Sequence, residues 1–384
     1  MKTEIKNYCL ITCLALLPFF AFCQDQAFLS PPKVISLPAE AEIYAPESRK
    51  FTGIPSIAVT GEQHVWAVWY TGITADEDHN NYVVVAYSDD GGKGWEEVLA
   101  IDPDKDGPVR AFDPEIWLDP QGKLWVFWAQ TIGKDGSVAG VWAITTDTPN
   151  TAQPHWSAPK RLTDGVMMCK PTVLSTGEWV LPASTWRKTD NSARMVVSED
   201  KGKNWEVKGA VHVPEENRVF DEHMILEKKD GSLWMLLRTN FGIGESFSED
   251  GGKTWSTLKT SKFQHPSARF FISRLQSDNL LLVKHGPIEK RTGRSHLMAF
   301  VSKDDGESWS RGLLIDERTG VSYPDAQQHS DGTIYLTYDF DRRNAQQILM
   351  TTFTEEDVLA DEYDERMVSV FENRKIVAKG GHHE

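Results

Sequence analysis

Four residues in the second half of the chain have side chains that could do chemistry together: Glu222, Arg238, Arg294 and Tyr323. A tyrosine hydroxyl, with an ordinary pKa of about 10, attacks only when a neighbouring base takes its proton. Arginines offer planar, permanently charged forks of donors matched to carboxylates. The first half adds Asp78 in TADEDHNNY, a carboxylate able to move a proton, with Asp76 and Glu77 adjacent to it, and the polar run of Arg110, Asp113 and Glu115 in RAFDPEIW. Lys170 in MMCKPTV, Trp186 and Arg187 in ASTWRK, and His265 and Arg269 in HPSARFFISRL complete the candidates. Each has a plainer reading: three acids in a row suit a solvated loop, a lone arginine a surface ion pair, a tyrosine ordinary packing. His223 neighbours Glu222, but strand alternation turns it to the other face, toward packing. No cluster has metal-ligand spacing, and neither metal nor cofactor is expected.

A repeat must position these residues. The pattern SxDxGxxW occurs from Ser88, Ser198, Ser248 and Ser302, with a degenerate copy at Thr145, Asp147 and Trp156 inside the longest gap. Between these boxes lies a second repeat, a turn followed by an apolar or aromatic run: GEQHVWAVWY, QGKLWVFWAQ, TGEWVLPAST, DGSLWMLLRT, SDNLLLVKHG and DGTIYLTYDF. Six turn-bounded runs with β-period alternation predict six units of roughly 50 residues, each a four-stranded sheet, and so an all-β six-bladed propeller. In each box the Ser and Asp oxygens are suited to bond backbone amides of a tight turn, glycine to supply a positive φ, and Trp to pack beneath; the box is a hairpin staple rather than a catalytic carboxylate site. The stretch after Gln24 and the segment Met367 to Val377 are expected to complete one blade from both chain ends.

Composition bounds the setting. Lys2 and Lys6 precede an uncharged run from Asn7 to Cys23, the pattern of an export signal over residues 1–23, leaving a single propeller domain over 24–384. A secreted or periplasmic product is expected, with lipidation at Cys23 the competing reading. Only Cys169 lies beyond that segment, which excludes an internal disulfide and suits a small buried hydrophobe. A net charge of -15 argues against nucleic-acid binding, and the 14 tryptophans serve as core filler and as platforms for sugar faces. No membrane span is expected, and a monomer is.

The box array resembles the bacterial neuraminidase-repeat (BNR, Asp-box) proteins of the sialidase superfamily, over nearly all of the chain beyond the leader. Glu222 followed sixteen residues later by Arg238, Arg294 eight residues before Ser302, and Tyr323 eight before Asp331 look like the family's base partner, two carboxylate-binding arginines and nucleophile. Asp78, ten residues before Ser88, is similar in place to its general acid. The resemblance implies a retaining exo-glycosidase that removes a terminal acidic sugar, sialic acid or a relative. The anomeric carbon of such a sugar bears a carboxylate, which repels an anionic nucleophile and admits a neutral tyrosine. Arg110, Asp113, Glu115, Lys170, Trp186 and Arg187 fall at entries and exits of innermost strands, where they would line a polar sugar pocket.

Two positions depart from that pattern. Sialidases open with a strand reading RIP, whose arginine is the first of three carboxylate binders; here the strand reads FTGIPSI, with Gly53 in its place. Arg49, Arg110 and Arg269 are the candidate substitutes, Arg269 the preferred one. Pro324 directly follows Tyr323 and is expected to hold it extended. The alternatives are a polysaccharide lyase or rhamnosidase-type propeller acting on uronate-containing glycans, in which Tyr323 or His265 would move the α proton, and a carbohydrate-binding propeller without catalysis.

Overall fold

The computed structural model describes residues 27–134, 136–186, 189–360 and 363–381, so the expected export signal lies outside the described residues. Six antiparallel sheets follow one another along the chain as six blades. Their innermost strands are Phe51–Val59, Val109–Leu118, Thr172–Val173, His223–Glu227, Phe271–Arg274 and Val321–Gln328. The second strands, Val65–Gly72, Leu124–Ile132, Trp179–Ser184, Leu233–Thr239, Leu280–His285 and Ile334–Phe340, are the six apolar runs of the sequence. These second strands are almost wholly buried because both their faces pack between neighbouring blades.

The chain ends do not share a blade as expected. Lys33–Ser36 pairs with Glu96–Asp102 as the outer, fifth strand of blade I, and Lys375–Lys379 pairs with Gln347–Phe353 as the outer strand of blade VI. The MVSVF stretch is the end of a helix, Tyr363–Glu372, in which Met367 and Val370, three residues apart, pack on the core shared by blades V and VI. A shorter helix, Glu355–Leu359, precedes it behind a capping box at Thr354 and Asp357. No helix among the described residues is long and apolar enough to cross a membrane.

The ring closes between the inner strands of blades I and VI through side chains. Asp339 Oδ2 accepts from the Ile54 amide at 2.9 Å, Asp325 Oδ2 from the Ile57 amide at 2.9 Å, and Gln327 exchanges both of its amide hydrogen bonds with the Val59 backbone. The Thr52 amide donates to the Arg342 carbonyl at 3.0 Å. These partners satisfy inner-edge groups that no further strand covers.

The four SxDxGxxW turns share one Ser–Asp–Gly hydrogen-bond pattern, which the indole completes at Trp95 and Trp255, whereas Nε1 of Trp205 and of Trp309 is buried with no partner among the described residues. In the first, Asp90 Oδ1 accepts from Ser88 Oγ and from the amides of Lys93 and Gly94, Ser88 Oγ accepts from the Gly92 amide, and Trp95 Nε1 donates to the Gly92 carbonyl. The turn glycine also serves packing between blades: Gly92 abuts Met350 of blade VI, Gly202 abuts Trp125 of blade II, Gly252 abuts Met195 of blade III and Gly306 abuts Trp234 of blade IV. In the degenerate copy of blade II, Trp156 stacks edge-on against Trp66 of blade I, whose Nε1 donates to the Pro149 carbonyl at 2.7 Å. Gly252 has φ +91°, and a Cβ there would lie 3.0 Å from Met195 Cε and overlap its sulfur. Gly252→Ala is therefore expected to lower stability by about 2 kcal/mol or more, read from urea unfolding midpoints.

Candidate active site

Three innermost strands are broken by the same bulge. Register shifts fall between Gly53 and Ser56, between Phe112 and Glu115, and between Ser322 and Asp325, each spanning an X-Pro pair: Ile54-Pro55, Asp113-Pro114 and Tyr323-Pro324. Proline cannot donate to the ladder, which is why the bulge forms there. Tyr323, before Pro324, was expected to be extended; instead its φ is +53°, and the residues before the other two prolines match it, with +60° at Ile54 and +47° at Asp113. Left-handed geometry at three non-glycine residues is held by the surrounding sheet, the kind of local strain that collects at working sites. Its effect is to turn Ile54, Asp113 and Tyr323 together into one cavity, while the residues after the prolines, Ser56, Glu115 and Asp325, meet on the ring axis beneath it.

The cavity holds about 230 Å³. Met168, Trp186 and Phe220 wall one side, Tyr70, Arg110 and Phe112 another, with Glu77, Glu222 and Tyr323 also lining it. Glu222 and Arg238 face each other across the first hairpin of blade IV, where the Arg238 amide donates to the Glu222 carbonyl at 2.7 Å; this pairing accounts for their spacing of sixteen. Arg238 Nη1 donates to Glu222 Oε1 at 2.5 Å and to the Tyr323 hydroxyl at 3.3 Å. The guanidinium thus stands between base candidate and nucleophile candidate, and Glu222 Oε2 is buried without a hydrogen-bond partner among the described residues. Arg294 donates to Ser322 Oγ at 2.9 Å and sets its guanidinium carbon 5.3 Å from the Tyr323 ring centre.

A third arginine arrives from a place the sequence did not suggest. Arg342, in the loop after the second strand of blade VI, brings its guanidinium carbon to 5.0 Å from the Tyr323 ring centre and Nη1 to 3.5 Å from Glu77. The space its stem crosses is the space over Gly53: a Cβ on that glycine would overlap Arg342 Cδ and lie 2.5 Å from Cγ. Nothing in the run DFDRRN distinguishes Arg342 from its neighbour Arg343 by sequence alone.

Several expected site residues are placed elsewhere. Asp78 does not line the cavity; its oxygens accept from Thr74 Oγ1, the Asn80 amide and Asn80 Nδ2, which builds the turn, while its neighbour Glu77 reaches in. Arg269, preferred as the missing arginine, is fully buried on the ring axis, where Nη2 contacts Glu115 at 3.2 Å and Asp325 at 3.3 Å. Lys170 completes that cluster, at 3.1 Å from Glu115 and 2.7 Å from Asp325. Both basic residues neutralise a buried acid pair rather than face a ligand in the cavity. Arg49 is bound to Glu97, Tyr82 and the Tyr44 carbonyl, away from the site. Arg110 lines the cavity, stacks on Phe112 at 4.0 Å and donates to the Glu77 carbonyl at 3.3 Å, holding the acidic loop. Arg187 lies outside the described residues. His265 is buried against His285, 3.2 Å between ring nitrogens, and burial holds its pKa well below the ordinary value. Cys169 is buried and unpaired in the core of blades IV and V.

Asp113, expected in the site, does line it, and burial pushes its carboxyl well above the usual carboxylate range; Arg110 opposes this and Glu77 and Glu222 add to it. A second cavity, about 410 Å³, opens at the other end of the channel, formed by the far ends of the inner strands. It contains none of Tyr323, Glu222, Arg238, Arg294 or Arg342.

Comparison with known proteins agrees with this architecture. The BNR repeat-like domain model matches residues 63–336. A Bacteroides fragilis protein named sialidase is 26% identical over 329 residues, an alignment covering 74% of this chain and 59% of that relative, so the chain spans about three fifths of the relative's length. The leech intramolecular trans-sialidase is similar in structure with a TM-score of 0.66 at 14% identity, over 85% of this chain and 71% of that one. The intramolecular trans-sialidase of Ruminococcus gnavus gives 0.63 at 15% identity, over 84% and 98%. The NanB sialidase of Streptococcus pneumoniae gives 0.60 at 14% identity, over 81% and 68%. At these identities the structural likeness is one of fold.

Two outcomes test the electrostatics. Arg269→Met leaves Glu115 and Asp325 short of a buried countercharge and is expected to cost about 3–5 kcal/mol in urea unfolding. Asp113, with a folded-state pKa above its unfolded value, makes the wild type lose stability as pH rises from the unfolded value toward the folded one. Asp113→Asn is therefore expected to melt at a higher temperature than wild type at about pH 7, with the gain vanishing below about pH 4.

Proposed function

We propose that this chain, which belongs to the BNR repeat-like family of the sialidase superfamily, is a retaining exo-glycosidase that releases a terminal acidic sugar, sialic acid or a relative, from glycans. The observation that carries this reading is the contact chain from Glu222 through Arg238 to Tyr323, with a second arginine over the tyrosine ring. Cations gathered around a neutral potential nucleophile suit a substrate whose reacting carbon bears a carboxylate. The apolar leader supports a site of action outside the cytoplasm.

In this mechanism the substrate carboxylate accepts from Arg238 and Arg294. That draws Arg238 from the Tyr323 hydroxyl, whose proton passes to the unpartnered Oε2 of Glu222 as the phenolic oxygen attacks the anomeric carbon. The bond to the leaving oxygen breaks as that oxygen is protonated by Glu77, which lines the cavity where Asp78 does not. Water then attacks the anomeric carbon, Glu77 taking its proton, while the bond from that carbon to the Tyr323 oxygen breaks and Glu222 returns its proton to that oxygen; the sugar leaves with its anomeric configuration retained. Trp186, Phe220, Met168 and Phe112 give the sugar an apolar wall, and Asp113 offers a carboxyl that burial favours in its protonated, donating form.

The test is release of sugar from a 4-methylumbelliferyl sialoside and from natural sialylated glycans, with product configuration followed by NMR. Tyr323→Phe and Glu222→Gln are expected to lower kcat on the order of 10³-fold or more with folding intact. Glu77→Gln is expected to slow natural glycans far more than the activated aryl sialoside, as loss of a general acid does. A Tyr323→Phe variant at full rate, or an unsaturated uronate product, overturns the mechanism.

A further inference from the structure

We propose that Arg342 is the third carboxylate-binding arginine of this site, delivered from blade VI into the space left open by Gly53, and that Glu77 is the ligand it gives up when substrate arrives. The inference rests on the glycosidase reading for the identity of its substrate and on geometry for the rest.

The pairing of Gly53 with Arg342 is built into the ring closure. The Thr52 amide donates to the Arg342 carbonyl at 3.0 Å, so the residue before Gly53 is tied to the arginine's own backbone. From there the side chain crosses Gly53, and any larger residue at 53 collides with its Cγ and Cδ. An arginine at 53 and the present path of Arg342 exclude each other.

The guanidinium is poised differently from those of the structural arginines. Arg49 donates four hydrogen bonds, two of them to Glu97, and Arg318 grips Asp316 with Nε and Nη2. Arg342 donates no hydrogen bond of ordinary length from its guanidinium among the described residues; its nearest carboxylate oxygens are those of Glu77 at 3.5 Å and Asp339 at 3.8 Å. Burial pushes the Asp339 carboxyl up to about 6, and its Oδ2 already accepts from the Ile54 amide, so it is a weak competitor. A planar donor fork beside the Tyr323 ring, mostly buried yet loosely paired, is completed by a carboxylate that offers two oxygens at once. Glu77 sits on the loop that Arg343 also holds, through a 2.9 Å bond from Nε to the Ala75 carbonyl. An incoming carboxylate therefore exchanges places with Glu77 on Arg342, and the released Glu77 takes up a proton from solvent, which it then gives to the leaving group.

The experiment measures binding of N-acetylneuraminic acid and of its methyl ester to the whole protein by titration calorimetry, beside turnover of the aryl sialoside. Wild type is expected to prefer the acid, and Arg342→Ala to weaken the acid on the order of 10- to 100-fold while leaving the ester nearly unchanged. Arg342→Lys falls between, and Gly53→Arg combined with Arg342→Ala recovers most of the loss. Glu77→Gln, which removes the competing carboxylate, is expected to tighten the acid several-fold although turnover falls. Melting temperatures identify any variant that fails to fold, in which case Arg342→Lys and the double variant carry the test. Unchanged acid binding in Arg342→Ala, with Arg294→Ala weakened, overturns the inference and leaves the glycosidase reading standing. An acid preference that depends on Arg342 without cleavage of any acidic glycoside overturns the glycosidase reading alone. No acid preference in wild type overturns both.

Discussion

The centre of this propeller is held by a buried cluster of charge. Ser56, Glu115, Lys170, Arg269 and Asp325 come from blades I, II, III, V and VI and meet on the ring axis, with Lys170 Nζ also bonded to the carbonyls of Ile57 and Ile116. The two acids and Arg269 are removed from water and Lys170 reaches it only at the edge of the second cavity, so the charges are stable only as a set, since each buried charge alone would carry a large desolvation penalty. The set therefore specifies which inner strands meet and at what depth. It also closes the channel, so that the two mouths of the ring are separate cavities.

That constraint reaches the candidate site through three short bulges. Because Ser56, Glu115 and Asp325 point to the axis, the residues two positions earlier, Ile54, Asp113 and Tyr323, are lifted to the floor of the cavity by the X-Pro kink. A strand without the bulge would place alternate residues on alternate faces and could not supply both layers from adjacent turns of backbone. The left-handed geometry is the cost of serving plug and pocket with one strand.

Above the plug the cavity has a divided character. Arg238, Arg294 and Arg342 surround Tyr323 from behind the lining residues, whereas Glu77, Asp113 and Glu222 line the cavity itself. In a protein of net charge -15 this local concentration of arginine stands out, and the neighbouring acids keep the cations folded in place when no ligand is bound. The aromatic wall of Trp186, Phe220 and Phe112 adds shape without charge.

Blade number and the second strand of every blade were legible in the sequence, because the SxDxGxxW turns and the apolar runs are local patterns that each blade must satisfy for itself. The Glu222–Arg238 pair was legible too, since a spacing of sixteen is a hairpin contact; the three X-Pro kinks went unread, although each proline, at 55, 114 and 324, lies ten residues before its second strand begins. Less was legible where local pattern underdetermines context: MVSVF fits a strand or a helix until Val370 finds its core, and Asp78 and Glu77 differ only in which carboxylate the loop turns inward. Gly53 reads as a loss in sequence, yet its meaning lies in Arg342, 289 positions away in numbering and in van der Waals contact across the ring closure. Arg269 shows the converse, an arginine of suitable type in a suitable blade whose partners, Glu115 and Asp325, are brought to it only by folding. Residue chemistry and short-range spacing are properties of the chain; which charge faces a ligand and which is neutralised inside depends on contacts between distant segments, and those exist only once the ring has closed.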